Sequence, residues 1–244
     1  MRSSAVLLGV AASLFRPTAA HGFVSGVKVN GAGWTAGADP VWYYYPSGQA
    51  PATAGWDSLN QDLGFVEPAN FGTSDIACHK SAKAGKNFIN AKAGDTLTFH
   101  WNTWPDSHKG PIMNYISAFG TNAGNLQWNK ISQGSIVSGT TWVTDNLIAN
   151  NFTSSVVIPR NLKAGDYVIR HEIIALHGAG NDNGAQAYPQ CLNLRITSGG
   201  SVSPSGGVAG SSLYKRTDPG IKFNLYTSYT SYPYPGPALW TAAN

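Results

Sequence analysis

Histidine is the side chain in this sequence best suited to hold a metal ion, and the chain of 244 residues contains six. They are His21, His79, His100, His108, His171 and His177. A chain that begins with histidine offers two nitrogens from one residue, the α-amine and the imidazole Nδ1, which can close a chelate ring on a metal. A second imidazole would complete a T-shaped set of three nitrogens, and such a set favours Cu(II).

His21 qualifies for this role because residues 1–20 have the parts of a cleavable secretory signal peptide. Arg2 supplies the positive start, residues 5–15 (AVLLGVAASLF) are apolar, and residues 18–20 (TAA) are small, as a signal peptidase requires. The apolar stretch is shorter than the ~20 residues that span a bilayer, so a membrane anchor is disfavoured. We therefore predict cleavage after Ala20 and a secreted, extracellular protein. The alternative for His21 is that it follows the cleavage position by chance.

The composition excludes several classes of protein. Charged residues make up only 11% of the chain, while it contains 28 glycines, 14 prolines, 8 tryptophans and 11 tyrosines. Such a composition is unlike that of coiled coils, helical bundles and charged disordered tails. The formal net charge is +4, and the chain has no basic cluster that could neutralise a phosphate backbone. Nucleic acid is therefore not an expected partner.

Short runs of alternating apolar and polar residues, bounded by turn-forming residues, predict an all-β protein built as a β-sandwich. The predicted strands lie at 22–30, 95–101, 154–159 and 166–177, with another around 192–196. Residues 37–75 and 102–135 lack this alternation and are predicted to form long functional surface loops. Residues 199–212 resemble a linker, but the tail after them is too poor in apolar residues for a second domain. We expect residues 21–244 to form a single domain, with the tail packed back on the sandwich.

Two further features agree with secretion. Cys78 and Cys191 are the two cysteines of the chain, and an even count in a secreted protein predicts a disulfide. Asn151, Phe152 and Thr153 form an acceptor sequon for N-glycosylation.

Four segments carry a specific resemblance to a known family. They are HGFVSGV from residue 21, DIACHKSA at 75–82, WPDSHKGPIMNY at 104–115 and RHEIIALHGAGNDNGAQAYPQC at 170–191. Together with the closing TDPGI and PGPAL segments, they closely resemble the fungal cellulose-active lytic polysaccharide monooxygenases of auxiliary activity family nine. The resemblance implies an immunoglobulin/fibronectin-like β-sandwich with long surface loops. It also implies a copper ion on a flat face and oxidative cleavage of crystalline cellulose.

The resemblance also assigns roles to individual residues. His21 would bind one copper ion per mature chain through its amine and imidazole, and His108 would supply the third nitrogen. Tyr188 would occupy a longer axial position, while His177 and Gln186 would lie beside the site where oxygen binds. Because Gln186 and Tyr188 are two residues apart, both side chains face the same way on an extended strand. Cys78 and Cys191 match the principal disulfide of the family.

The remaining histidines are interpreted as structural. His171 is expected to be hydrogen-bonded within its strand, and His100 lies on the polar face of a predicted strand. His79 matches no ligand position of the family.

Tyrosines are the expected contacts to the polysaccharide, because an aromatic ring stacks on the apolar face of a sugar. Tyr43, Tyr44 and Tyr45 in the first long loop, and Tyr232 before PGPAL, match the regions where the family places such rings. The alternative for each is that it packs its own loop. Which of the three consecutive tyrosines faces the substrate stays open.

The implied reaction needs an external electron donor, such as a small phenol, ascorbate or a secreted flavocytochrome, together with O2 or H2O2. Oxidation at carbon 1 or carbon 4 of a β-1,4-linked glucose unit then leads to loss of the glycosidic bond. The protein is expected to act as a monomer without an appended carbohydrate-binding module. Two alternatives remain: a glycoside hydrolase, which needs a pair of carboxyl groups flanking the bond, and a non-catalytic copper- or cellulose-binding protein.

Overall fold

The computed structural model describes residues 21–244, so the predicted signal peptide lies outside the described residues. Short strands dominate the chain, and the two α-helices span only one or two turns. The elements are β1 (Val24–Val29), β2 (Thr35–Ala36), α1 (Asp75–Cys78), β3 (Ile89–Lys92), β4 (Thr96–Trp101), β5 (Ile112–Ala118), β6 (Gln127–Gly134), β7 (Ile136–Ser138), β8 (Thr141–Trp142), α2 (Val143–Ala149), β9 (Thr153–Val157), β10 (Gly165–Ala175), β11 (Gln186–Ser198) and β12 (Val208–Ala209). No helix within this range is long and apolar enough to cross a membrane.

The strands form two sheets that pack as a sandwich. One sheet has the order β2-β1-β4-β9 and the other has the order β12-β6-β5-β10-β11-β3, while β7 and β8 form a small separate hairpin. Neighbouring strands are antiparallel except for β3, which pairs in parallel with β11. The prediction of an all-β, immunoglobulin/fibronectin-like β-sandwich is confirmed.

The β4 strand shows why alternation predicted this fold. Leu97, Phe99 and Trp101 are fully buried between the sheets, whereas Thr98 and His100 lie half-buried on the outer face. Successive side chains of a strand point to opposite faces, so this pattern fits a sheet with one packed face. The predicted strands near β1, β9, β10 and β11 are present in the same way.

The prediction that residues 102–135 form one long loop is wrong, because this range contains β5 and β6. Six consecutive residues of β5 are buried, so its sequence shows no alternation. Ile112 and Ile116 face the core between the sheets, while Met113 and Tyr115 face a second core on the opposite side of the six-stranded sheet. A strand that is buried on both faces has no polar face to mark it in the sequence.

The second core exists because loops and the C-terminal tail cover the outer side of the six-stranded sheet. Leu213, Tyr214 and Tyr232 from the tail pack there against Trp128 and Met113. Further along, the backbone amide of Trp240 donates to Lys130, and the carbonyl of Ala243 accepts from Asn161. The tail therefore packs back on the sandwich.

Two buried links tie α1 to the six-stranded sheet. The predicted disulfide joins Cys78, the last residue of α1, to Cys191 on β11. The guanidinium of Arg170 on β10 donates to the carbonyls of Ile76 and Ala77, each at 2.8 Å. Arg170 also pairs with Glu172 through two hydrogen bonds of 2.6 and 2.8 Å, and both side chains are fully buried.

Breaking this buried pair is expected to cost much stability. The Arg170→Met variant leaves the Glu172 carboxylate buried without its partner, so we expect the free energy of unfolding to fall by about 3–5 kcal/mol. The matched control is Arg195→Met, which removes an ion pair with Asp166 that solvent screens, since the Arg195 side chain is 48% exposed. Urea unfolding followed by circular dichroism measures both. Equal and small changes in the two variants would contradict the structural role of Arg170.

Candidate metal centre

His21 is held at one end of the sandwich by the segment that leads into β1. The backbone amide of Phe23 donates to the side-chain oxygen of Asn102 at 2.8 Å, and the carbonyl of Phe23 accepts from the amide of Asn102 at 3.1 Å. The residue between His21 and Phe23 must be glycine, because a Cβ at Gly22 would lie 2.1 Å from the carbonyl oxygen of Thr103. These contacts fix the backbone next to His21 against the end of β4.

His108 lies in the loop between β4 and β5, and its orientation is set locally. Its carbonyl accepts a hydrogen bond of 2.9 Å from the indole of Trp104, and its amide donates to the carbonyl of Pro105 at 3.1 Å. The hydroxyl of Ser107 is 3.1 Å from Nδ1 of His108. Nδ1 is therefore engaged, and Nε2 is the nitrogen left to bind something else.

Gly110 brings this loop against β10. A Cβ at Gly110 would lie 1.8 Å from the carbonyl oxygen of Ile174, so only glycine allows the approach. The amide of Leu176 then donates to the carbonyl of Lys109 at 2.9 Å. This contact places the residue after Leu176, which is His177, beside the loop that carries His108.

Four predicted site residues converge at this end of the sandwich. The ring centre of His108 is 5.7 Å from that of His21 and 4.0 Å from that of His177. The ring centre of Tyr188 is 5.7 Å from that of His21. The tyrosine hydroxyl donates to Oε1 of Gln186 at 2.8 Å, which adds the fifth predicted residue to the cluster. The register of β10 with β11 explains this, since Ala175, two residues before His177, pairs with Gln186.

The three imidazoles are held in the neutral form that a metal ligand requires. Burial, together with the neighbouring rings of His177 and His21, lowers the pKa of His108 to about 4. Burial also lowers the pKa of His21 and of His177. The phenol of Tyr188 has its pKa raised, mainly by burial, so it stays protonated and can donate its hydrogen bond to Gln186.

Buried ring nitrogens without a hydrogen-bond partner indicate whether a metal would fit at this site. Within residues 21–244, Nε2 of His108 and Nδ1 of His177 are buried and accept or donate no hydrogen bond. Such a group is costly unless it is satisfied, and a metal ion would satisfy it. No group of three His, Cys, Asp or Glu side chains in the described range could hold a metal. A site made of two imidazoles and the amine that cleavage after Ala20 would create needs only two such side chains, so these donors would fit copper.

The other histidines have partners of their own. His171 is fully buried, its Nε2 accepts from the indole of Trp101 at 3.0 Å, and its Nδ1 is 2.7 Å from Oδ1 of Asn114. Nε2 of the buried His79 lies 3.0 Å from the carbonyl oxygen of Gly64. His100 lies at the surface of β4, with Nδ1 2.8 Å from the hydroxyl of Ser25. These contacts support the structural interpretation of all three.

Tyr43, Tyr44 and Tyr45 are exposed, with 60, 72 and 40% of each residue accessible to solvent. The turn that carries them is anchored by Trp42, whose indole donates to the carbonyl of Ser58 at 3.0 Å. The loop that carries these tyrosines begins beside the first residue of β1, since the amide of Ala38 donates to the carbonyl of Val24 at 2.9 Å. All three rings are therefore accessible to a ligand.

The prediction that Tyr232 is a surface tyrosine is wrong. Only 6% of this residue is exposed, and its hydroxyl donates to the carbonyl of Gly220. Its ring packs against Trp142, Phe223 and Tyr234, with ring centres 5.3 to 5.4 Å apart. The tail folds back over the sheet at this point, so the ring becomes part of the second core.

Tyr226 is the exposed tyrosine of this segment, and sequence reasoning missed it. It is 77% exposed, and its amide donates to the side-chain oxygen of Asn224 at 3.0 Å. Asn224 in turn approaches Gly180, in the loop that follows His177, where a Cβ would lie 3.4 Å from the Asn224 side chain. Tyr226 is thus hydrogen-bonded to a side chain that approaches the loop after His177.

The buried ring of Tyr232 is expected to contribute to the stability of the fold. The Tyr232→Ala variant removes a buried ring, and we expect it to lower the free energy of unfolding by about 3–5 kcal/mol. The matched Tyr226→Ala variant removes an exposed ring and should leave unfolding almost unchanged. Denaturant titrations of both variants check this difference. If Tyr232→Ala unfolds at the same denaturant concentration as the parent, the buried position of Tyr232 is wrong.

The chain is similar to known proteins over nearly all of its described length. Residues 21–234 match the sequence profile of Auxiliary Activity family 9 (formerly GH61). The AA9 family lytic polysaccharide monooxygenase F of Malbranchea cinnamomea is 49% identical, over 98% of this chain and 97% of that protein. The AA9 family lytic polysaccharide monooxygenase A of Podospora anserina is 47% identical, over 100% of this chain and 70% of that protein.

Solved structures give the same result. Cel61B from Hypocrea jecorina, a glycoside hydrolase family 61 member, superposes with a TM-score of 0.85 at 40% identity, covering 90% of this chain and 100% of that one. The extended catalytic domain of LPMO9A from H. jecorina gives a TM-score of 0.85 at 42% identity, covering 92% of each chain. The β-sandwich and the cluster of histidines are consistent with the family that these similarities indicate. The chain belongs to Auxiliary Activity family 9, a family of copper-dependent lytic polysaccharide monooxygenases.

Proposed function

We propose that this protein is secreted and oxidatively cleaves the β-1,4-glucan chains of crystalline cellulose at carbon 1, carbon 4 or both. The observation that carries the proposal is the unpartnered, buried Nε2 of His108, which lies in a cluster with the rings of His21 and His177. A buried nitrogen that nothing in the protein satisfies needs a further partner, and a metal ion would be such a partner for a ring nitrogen that lies beside a second imidazole.

In this proposal His21 and His108 hold one copper ion. His21 contributes its imidazole and, after removal of residues 1–20, its α-amine, while His108 contributes Nε2. Tyr188, whose ring centre is 5.7 Å from that of His21, would complete the protein side of the site. Copper would supply the one-electron redox chemistry that lets O2 or H2O2 attack an unactivated C–H bond, once a small-molecule donor or a flavocytochrome has provided an electron.

Gln186 and His177 would position the oxygen co-substrate. Oε1 of Gln186 already accepts the hydrogen bond from Tyr188. That bond fixes the orientation of the amide, so the Nε2 hydrogens of Gln186 are the ones directed to a second partner. A neutral His177 with an unpaired ring nitrogen can exchange a proton or hydrogen bond with the same partner. The two side chains therefore orient the oxygen molecule without binding the metal.

Exposed tyrosines would hold the polysaccharide. Tyr43, Tyr44 and Tyr45 offer rings that can stack on pyranose faces while their hydroxyls stay in contact with water. Tyr226 is a further candidate, because it is exposed and bonds to Asn224, which approaches the loop that follows His177. Stacking over several separated rings suits a flat crystalline substrate better than a closed pocket does.

The nature of the products tests the function. The protein secreted by a fungal host and loaded with Cu(II) is incubated with microcrystalline cellulose, with and without ascorbate, and soluble products are analysed by mass spectrometry. We expect aldonic acids, 4-keto sugars or both, formed only with ascorbate. Unoxidised oligosaccharides formed without a reductant would indicate a hydrolase. Copper binding without any soluble product would indicate a non-catalytic protein.

The role of Gln186 gives a separate prediction. The Gln186→Leu variant loses the amide donor but no metal ligand, so we expect copper to bind while oxidised products fall by about 10- to 100-fold. Gln127→Leu is the matched control, because Gln127 is an exposed glutamine on β6. Product yield and copper titration are measured for both. Full activity of Gln186→Leu would exclude the proposed role.

A further inference from the structure

A groove of about 680 Å³ lies where α2 meets β5, β6 and β9, and we call it the α2 groove. The two sheets contribute opposite walls, since β5 and β6 belong to the six-stranded sheet and β9 to the four-stranded sheet. Its size falls within the range of small-ligand sites. The lining residues include Asn114, Ser132, Gln133, Asn146, Asn150 and Ser154.

The chemistry of this lining is that of a neutral, hydroxyl-rich ligand. Among the residues that line the groove, all of them in the described part of the chain, none is charged and none is aromatic. Their polar groups are side-chain amides and hydroxyls, which both donate and accept hydrogen bonds. An anionic or cationic ligand would find no counter-charge here. A sugar would find partners of both kinds for its hydroxyls.

The floor of the groove is already organised. Asn114 is buried, its Nδ2 donates to the hydroxyl of Ser132 at 2.8 Å, and its Oδ1 pairs with Nδ1 of His171 at 2.7 Å. Because these side chains are fixed before a ligand arrives, little conformational entropy is lost when one binds.

The glycosylation sequon lies at the rim of the same groove. Asn151 follows the C-terminal end of α2 and is one of the lining residues. It is exposed, and its φ of 53° fixes it in a left-handed turn. Phe152 packs against the core, and the hydroxyl of Thr153 donates to the carbonyl of Asn150 at 2.6 Å. The acceptor asparagine is thus held in one place at the mouth of a sugar-compatible groove.

We propose that Asn151 carries an N-linked glycan whose first sugars lie in the α2 groove. The inference rests on passage through the secretory pathway. There the glycan is transferred from a lipid diphosphate-linked oligosaccharide. A bond forms between Nδ2 of Asn151 and the anomeric carbon, the bond from that carbon to the diphosphate breaks, and the amide loses one proton.

The attached glycan is a better occupant than a free oligosaccharide. Free sugars are held mainly by stacking on aromatic rings, and this groove has none. A covalently linked sugar needs far less affinity for the groove than a free sugar does, because its effective concentration there is on the order of millimolar. Cellulose is therefore expected to bind elsewhere on the domain.

The glycan would stabilise α2, which contacts the loop that carries His108. Lys109, next to His108, forms an ion pair with Asp145 on α2 at 3.0 Å, and the amide of Gly110 donates to the hydroxyl of Thr144 at 3.2 Å. A ligand that spans from α2 to the sheets holds this helix in place. The expected consequence is higher stability.

The melting temperatures of variants with and without the glycan test the inference. The full chain, secreted from a fungal host, is used throughout. Asn151→Asp removes the glycan and keeps a short side chain that tolerates the left-handed turn. Asn146→Trp fills the groove from an exposed helix position, and Thr141→Trp adds the same ring at an exposed position outside it. We expect the glycan to raise Tm by about 2–4 °C in the parent and in Thr141→Trp, and not in Asn146→Trp.

Mass spectrometry of the peptide that contains Asn151 establishes whether the glycan is present, and an unmodified Asn151 would overturn the proposal. An equal rise of Tm in all three backgrounds would also overturn it, since the sugars would then lie outside the groove. If Asn146→Trp does not fold, amide hydrogen exchange of residues 143–150 decides. Exchange must be slower with the glycan than in Asn151→Asp, and equal rates overturn the proposal. None of these measurements depends on copper or on cellulose.

Discussion

Replacing His108 by alanine is expected to abolish tight copper binding, and reductant-dependent oxidation of cellulose with it. Of the two ring nitrogens of His108, Nε2 is buried without a partner, whereas Nδ1 lies within hydrogen-bond distance of the hydroxyl of Ser107. Removal of the ring would therefore remove the proposed metal ligand, together with its contact to His177. We expect the affinity for Cu(II) to fall by roughly 1000-fold, which corresponds to about 4 kcal/mol. Isothermal titration calorimetry measures the affinity.

The matched control is His100→Ala. This histidine lies on the outer face of β4, where Nδ1 contacts the hydroxyl of Ser25 and the ring centre is 5.4 Å from that of Trp34. Its removal should leave the copper affinity and the electron paramagnetic resonance spectrum unchanged. If both variants bind Cu(II) as tightly as the parent, His108 is not a ligand. If both lose it, the loss reflects general destabilisation.

How far the sequence predicts this fold depends on how each strand is buried. β4 is packed on one face, so its alternation was readable and its residues were assigned to the correct faces. β5 is packed on both faces, so its sequence IMNYISA lacks the alternation that marks β4. The information that separates the two cases is the covering of the sheet by loops and tail. That covering depends on contacts between residues far apart in the chain.

The candidate site shows the same division. The resemblance of several segments to one family points to His108, His177 and Gln186, and the structure brings His108 together with His177, and Gln186 together with Tyr188. The exposure of a single tyrosine was not predictable in this way. Tyr232 and Tyr226 lie six residues apart in one aromatic tail, and only the packing of Tyr232 against Trp142 and Phe223 decides which ring is buried.

Adding an N-acetylated glycine before His21 is expected to weaken copper binding by at least about 100-fold, or roughly 2.7 kcal/mol. The extension converts the α-amine of the mature chain into a peptide amide. An α-amine has a pKa near 8 and gives up its proton to a metal readily, whereas Cu(II) displaces a peptide N–H near neutral pH only where a neighbouring amine anchors the ion, and the acetyl group removes that amine. The imidazole of His21 would remain, but the chelate ring would be lost. Calorimetric titration with Cu(II) and the electron paramagnetic resonance spectrum measure the effect.

The control for this variant is a glycine added after Asn244, which is exposed at the other end of the chain. The metal-free forms of both variants should unfold like the parent, because the contacts that hold this end of the chain begin at Gly22 and Phe23. A lower copper affinity at unchanged stability would then isolate the amine from the fold. Tight copper binding by the N-terminally extended protein would show that the amine is not a ligand. In that case the metal would have to be held by side chains alone, and the cluster of His21, His108 and His177 would need a different interpretation.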